Sequence, residues 1–271
     1  LMVLLLERDQ WLRAGLAAGC MGMLKWQPLM LAPGVCYFMA TAWFRDRCRR
    51  GPLRFLLGCA MAVSLMAGPV LLREGLEGLD ELQNALSRTQ TPALSAFAFN
   101  PWWLLSGALG YVFPDDFMLT TSGLLWCSSS GTPPAHRALL ALAHPLGLAV
   151  MATVVGCYAL RLWTRNVDGL DAVLRIGLLV NLARYVFATG AWAHHLIFAF
   201  PLALLIWLRT GNSRYVVTVS VVDLLSTVIY RLPAFSPRMA EPSVSLYLLA
   251  LPVTAWLLLD MVALFRDDTG P

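Results

Sequence analysis

Charge is the scarcest thing in this sequence. Only 13% of its 271 residues are Asp, Glu, Lys or Arg, while 58% are hydrophobic and mean hydropathy is +0.66. A soluble domain carries about 25% charged residues, so too few remain here to cover a water-facing surface. Also missing are the short alternating segments of a membrane barrel, any internal repeat, and the apolar core followed by small residues that marks a signal peptide. The six cysteines (Cys20, Cys36, Cys48, Cys59, Cys127, Cys157) show no CxxC or paired spacing, which excludes a zinc site and a disulfide framework. There is no phosphate-binding Walker loop, no GxSxG elbow, no HExxH and no haem-attachment motif. No segment bears the serial charges of a voltage sensor or proton relay. The net charge of +4 gathers in short clusters at helix ends and is no nucleic-acid signal.

What is present is apolar sequence in spans. The run from Leu139 to Leu160 is almost unbroken and long enough to cross a bilayer as a helix, where every backbone group must be satisfied internally. Apolar segments fall at 12–25, 28–44, 53–72, 137–161, 170–190, 195–209, 214–231 and 244–265. The fold class expected is all-α: a polytopic membrane bundle of roughly eight transmembrane helices, forming one domain over 1–271. The run Leu1–Leu6, ending at Glu7-Arg8-Asp9, reads as the end of a helix that begins upstream. Basic clusters at 45–50, 161–165 and 209–214 can all be placed on one face, which the positive-inside rule makes cytoplasmic. The Lys25–Pro28 turn, the 73–136 segment, the 191–195 corner and the 232–243 loop then lie outside. Within 73–136, Leu76, Leu79, Leu82 and Leu86 recur at helical spacing among acids, the pattern of an amphipathic surface helix. Ser128–Pro134 reads as loop.

Polar residues in or beside spans are costly unless they pair or work. Lys25, with Trp26, Gln27 and Pro28, has two readings: a lysine snorkelling to the interface, or a cation for a phosphate at the membrane surface. Arg184 lies near the outer end of its span and needs an anionic partner. Asp223, Asp260 and a lipid phosphate are the choices. His194 and His195 open the next span at the same corner, where they either anchor at the interface or contact an anionic oxygen. His144, beside Pro145, is expected to satisfy carbonyls freed by the proline.

Three stretches resemble the GT-C superfamily of polytopic glycosyltransferases. Gly15 to Pro33 (GLAAGCMGMLKWQPLMLAP) is similar to a Gly-rich half-span leading into a lysine-bearing turn and a Leu-rich span. Ser95 to Leu105 (SAFAFNPWWLL) resembles an outer-loop N-x-WWLL element, and Phe187 to Pro201 (FATGAWAHHLIFAFP) a His-rich corner. They occur in the family's order. The resemblance implies transfer of a hexose, mannose or glucose, from a polyprenyl-phosphate sugar donor to a glycan, lipid or protein acceptor on the extracytoplasmic side of the cell's inner membrane. It implies substrate-binding roles for Lys25, Asn100, Trp103 and His195, and with Gln27, Trp102, Arg184 and His194, which stand beside them or at the same outer face, these make up the expected substrate-binding set. Lys25 and Arg184 would meet the donor phosphate, and Asn100, Trp102 and Trp103 would form a rim near sugar or lipid.

Two departures stand against the family pattern. Trp192-Ala193 occupies the place of its usual His-Glu pair, and its catalytic carboxylate is expected upstream of Leu1. Asp115-Asp116 comes too late to be that motif and reads as a solvated pair. No metal ligands are assigned, and a divalent metal is left open. The competing readings are a lipid or polysaccharide transporter and a non-catalytic membrane scaffold.

Overall fold

The computed structural model describes residues 1–24, 30–75, 77–78, 95–96, 98–112, 134–167, 169–189, 191–231 and 248–266, and they are helical almost throughout. In chain order they form α1 (Met2–Glu7), α2 (Trp11–Leu24), α3 (Ala32–Phe44), α4 (Arg50–Glu74), the two-residue strand β1 (Ser95–Ala96) and α5 (Pro101–Val112). Then follow α6 (Pro134–Thr164), α7 (Gly169–Phe187), β2 (Ala191–Trp192), a 3-10 segment (Ala193–Ala199), α8 (Phe200–Thr210), α9 (Arg214–Arg231) and α10 (Ala250–Arg266). Each of the eight apolar segments is a helix, so the all-α expectation holds. Two of the described helices, Arg50–Glu74 and Ala138–Thr164, are long and apolar enough to cross a membrane. The others are shorter or more charged: α7 and α9 each carry three Asp or Arg residues. A second difference is α5, which the sequence reading left as an interfacial stretch. Of the expected amphipathic helix at 76–86 only Glu77 and Gly78 are described, and they are helical; Asp115-Asp116 and residues 128–133 of the expected loop lie outside the described residues, and Pro134 opens α6.

The chain divides into two compact units, Leu1–Gln90 with Arg161–Gly177, and Thr91–Leu160 with Leu178–Pro271. In the first, α2 and α4 run side by side in the same direction: Gly15 meets Phe55 and Gly19 meets Cys59. A Cβ on Gly15 would lie 2.0 Å from the Phe55 carbonyl oxygen, and one on Gly58 would lie 2.2 Å from that of Leu12. Only glycine permits this approach. Gly15-x-x-x-Gly19 is the small-residue spacing that lets two apolar helices touch backbone to backbone. Around that contact Met2, Leu6, Trp11, Ala14, Val35, Ala42, Phe55 and Leu170 form one buried cluster. Trp11 stacks on Phe38 with ring centroids 5.1 Å apart.

The second unit is built on large buried aromatics, among them Phe99, Trp103, Tyr158, Tyr185 and Tyr215. Its cross-helix hydrogen bonds sort by level. Arg214 at the start of α9 donates from Nε to Asp260 Oδ1 at 2.5 Å, late in α10, so these two helices are antiparallel. Tyr158, late in α6, donates to the Leu264 carbonyl at 3.2 Å, also late in α10. Asp260 is fully buried, and its ion pair with Arg214 accounts for one of the three partners considered for Arg184. The reason is position: Asp260 lies in the last two turns of α10, whereas Arg184 lies in the last turn of α7, which ends with the opposite set of helix termini.

The α2–α4 contact yields a stability test. Gly58→Ala should lower the thermal unfolding midpoint in a membrane mimetic, since overpacking costs about 1–3 kcal/mol. Gly68→Ala in the same helix meets nothing within 4 Å and should leave the midpoint unchanged or raise it, as an exposed helical alanine is favoured over glycine by roughly 0.5–1 kcal/mol. Equal effects of the two would discount the backbone approach.

Candidate functional site

The last turn of any helix leaves carbonyls without intrahelical partners. At the C-terminus of α7 those of Tyr185 and Phe187 are met by side chains from more than eighty residues upstream. Asn100 Nδ2 donates to the Tyr185 carbonyl at 2.8 Å, and Trp102 Nε1 donates to that of Phe187 at 2.6 Å. Asn100 also works in the other direction. It precedes Pro101 at the start of α5, and its Oδ1 accepts the Trp103 N–H at 3.0 Å. An asparagine N-cap followed by proline at the first helical position is the favoured way to open a helix. One amide therefore closes α7 and opens α5.

The ring of Tyr185 extends the joint. Its hydroxyl accepts the Phe99 N–H at 3.0 Å and shares a hydrogen bond with Ser226 Oγ at 3.1 Å on α9. Thr254 Oγ1 on α10 donates to the Phe99 carbonyl at 3.4 Å. α6 joins from another side: a Cβ at Gly147 would stand 2.1 Å from the Phe187 carbonyl oxygen, and His144 Nδ1 lies 2.9 Å from Thr189 Oγ1. His144 thus bonds a side chain on another segment, which corrects its expected use on its own helix's carbonyls. Beyond Thr189 the chain pairs in parallel with the strand before Asn100, Ser95 opposite Ala191 and Ala96 opposite Trp192.

The residues singled out from sequence are distributed as follows. Asn100 and Trp103 are fully buried and Trp102 is half-buried, so Asn100 and Trp103 frame the corner from inside and form no exposed rim. For Asn100 the physical reason is the pair of helix ends, which draw its amide inward; the indole N–H that meets a helix end is that of Trp102. Arg184 is half-buried in the last turn of α7, one residue before the carbonyl that Asn100 caps. His194 and His195 belong to the 3-10 segment that follows β2. Lys25 and Gln27 lie outside the described residues, and so does any meeting of Lys25 with Arg184. Among the described residues no three His, Cys, Asp or Glu side chains cluster as metal ligands, and no chemical step is derived through a metal.

Tyr185, Ser226, Thr254 and Gly147 were not singled out as site residues. The Asn-Pro step at 100–101 was a readable helix-start signal, but nothing in local spacing pairs it with a helix end 85 residues away. Comparison of the chain with protein-family models, curated proteins and solved structures gives no match.

The double duty of Asn100 is testable by substitution. Asp is as good an N-cap as Asn, so an N-cap role alone predicts that Asn100→Asp is tolerated. With both roles, Asp loses the donor and sets a carboxylate against the Tyr185 carbonyl. Asn100→Asp should then lower stability by at least about 1–3 kcal/mol, the cost of a buried unpaired polar group. Trp102→Phe, which keeps a ring but removes the donor to Phe187, should fall in the same range. Thermal unfolding of the three proteins decides, and a wild-type midpoint in Asn100→Asp would remove the cap on α7.

Proposed function

We propose that this chain is the membrane-embedded part of a GT-C-type glycosyltransferase, transferring a hexose from a polyprenyl-phosphate sugar donor to an acceptor on the extracytoplasmic face of the inner membrane. The observation that carries the reading is the joining of two of the three resembling stretches. The Ser95–Leu105 and Phe187–Pro201 stretches are far apart in sequence, yet they meet through the Trp102 bond to the Phe187 carbonyl and a short parallel pairing, with Asn100 bonded to the Tyr185 carbonyl two residues before the corner. A chance likeness of apolar runs gives no reason for the two to meet.

Multi-pass embedding is supported by the surface of the long helices. Only 22% of the most apolar stretch of α4 and 17% of that of α6 are buried, whereas a core helix of a soluble protein would be mostly covered. Leu65 and Leu72 on α4 are 71% and 91% exposed. The shorter helices carry charges that are paired internally, Arg175 with Asp171 at 2.6 Å and Arg214 with Asp260, and paired charges are the kind a bilayer tolerates.

In this reading Arg184 contacts the donor's phosphate and stabilises charge on the leaving lipid phosphate, with His194 and His195 orienting phosphate or acceptor and Lys25 adding a second cation. Asn100, Trp102 and Trp103 hold the frame. The full-length protein, reconstituted with a polyprenyl-phosphate hexose, should form a hexosylated acceptor. Arg184→Gln should lower kcat/KM for that donor at least about tenfold, the worth of one charge-assisted hydrogen bond, without a matching loss of stability. Lys25→Met should act in the same direction. Donor binding with no turnover would favour a transporter, and neither binding nor turnover would leave a scaffold. Sidedness has its own check: in a protein stripped of other cysteines, Cys48 should label from the cytoplasm and a cysteine at Ser129 from outside. Labelling of both from one side refutes the topology.

A further inference from the structure

A second polar cluster lies in the first unit. Arg45 leaves the end of α3 and lies over the ring of Trp163, its Cζ 4.3 Å from the ring centroid, while one Nη donates to the carbonyl of that same residue. Tyr37 packs edge-on to Trp163 and donates to the Val167 carbonyl at 3.5 Å. The α3–α4 loop and the α6–α7 turn are thereby fastened together. Each turns sharply through a left-handed residue, Arg47 at φ 53° and Asn166 at φ 56°.

This fastening uses one arginine, and a second, Arg49, lies over the ring of Trp43 with its Cζ 5.7 Å from the centroid. Arg47, Arg49, Arg50, Arg54 and Arg165 are all exposed, and Asp46 is the one acid between Arg45 and Arg54. Orientation in a bilayer requires only that basic residues lie on one side. It gives no reason for two basic segments to be locked to each other by an arginine–tryptophan stack.

We propose that this joined surface binds the phosphate of an anionic phospholipid in the cytoplasmic leaflet. The proposal rests on the membrane-embedded reading and not on the glycosyl-transfer one. Fork-shaped guanidinium groups suit a phosphate with two oxygens to offer. What favours a lipid over a soluble phosphate is the neighbouring surface. Phe44 beside Arg45 and Leu53 beside Arg54 are 70% and 55% exposed, and Leu56 and Leu57 continue that open apolar surface along α4. A head group on the arginines leaves its acyl chains against those side chains.

The test uses the purified full chain in a neutral detergent, offered equal amounts of phosphatidylglycerol and phosphatidylcholine, with retained lipid counted by native mass spectrometry. Phosphatidylglycerol should be retained at least about tenfold over phosphatidylcholine, with the preference falling as salt is raised. The triple variant Arg47→Ser, Arg49→Ser, Arg50→Ser keeps Arg45 and Trp163 and should lose most of that preference. The corresponding lysine variant should keep it, and equal unfolding midpoints exclude a folding defect. Equal retention of the two lipids, or an unchanged preference in the serine variant, overturns the proposal. Displacement of the lipid by glycerol phosphate at matching concentration overturns the lipid assignment in favour of a soluble phosphate. A chain that stays monodisperse without detergent refutes the membrane reading itself, and the lipid site with it. A detergent-dependent chain with no lipid preference refutes the lipid site alone.

Discussion

The second unit depends on the amide of Asn100. A helix that ends inside a bundle presents carbonyls that need donors, and water is not there to supply them. Asn100 supplies one donor to α7 while its oxygen takes a free N–H of α5. Because the amide is planar, the two bonds fix the ends of both helices against each other. Trp102 adds a second donor from the next residue but one. Few other side chains can do this: Asp lacks the donor, Leu lacks both, and Gln puts the same amide one methylene too far from the N-cap position.

Where lipid is the solvent, burying a leucine between helices gains little over leaving it in the bilayer, and association rests on close packing and polar contacts. The two units answer this differently. In the first, glycines at 15, 19 and 58 let α2 and α4 approach until carbonyl oxygens limit them. In the second, Tyr185, Ser226 and Thr254 tie α7, α9 and α10 to the Phe99–Asn100 segment. The same need explains the ion pairs. Arg214 and Asp260 sit at the end of the unit opposite to that joint, and Arg214 supplies the buried carboxylate with a partner at Oδ1, without which a buried charge is strongly destabilising.

The helices were legible because their signal is local. An apolar run of helical length reads the same wherever the chain carries it, and all eight segments were found within a few residues. The Gly15-x-x-x-Gly19 spacing was equally open to reading and indicates that α2 packs closely, though not on which helix. Partners at long range were another matter. Naming Asp260 among the choices for Arg184 treated buried charges as a common pool, when the helix ends at which they lie decide which can meet. Asn100 and Trp102 were found as part of a motif, but their bonds to backbone carbonyls invert the part expected of them. The motif's polar atoms serve the backbone, and a rim residue would have kept them for a ligand.

That inversion bears on how the corner can work. Side chains already committed to carbonyls cannot also bind sugar, so recognition in the proposed enzyme falls to groups the frame holds in place. Arg184 stands one residue from the first capped carbonyl, and the chain that carries His194 and His195 leaves directly from the second through the pairing of residues 191–192 with 95–96. Both are therefore on rigid backbone: the arginine by helix geometry, the histidine-bearing segment by strand pairing at its root. A cation whose backbone is fixed loses less freedom on meeting a phosphate than one on a loose loop. The motif residues thus act on the proposed chemistry at second hand, by holding the backbone that carries Arg184 and leads into the histidine-bearing segment.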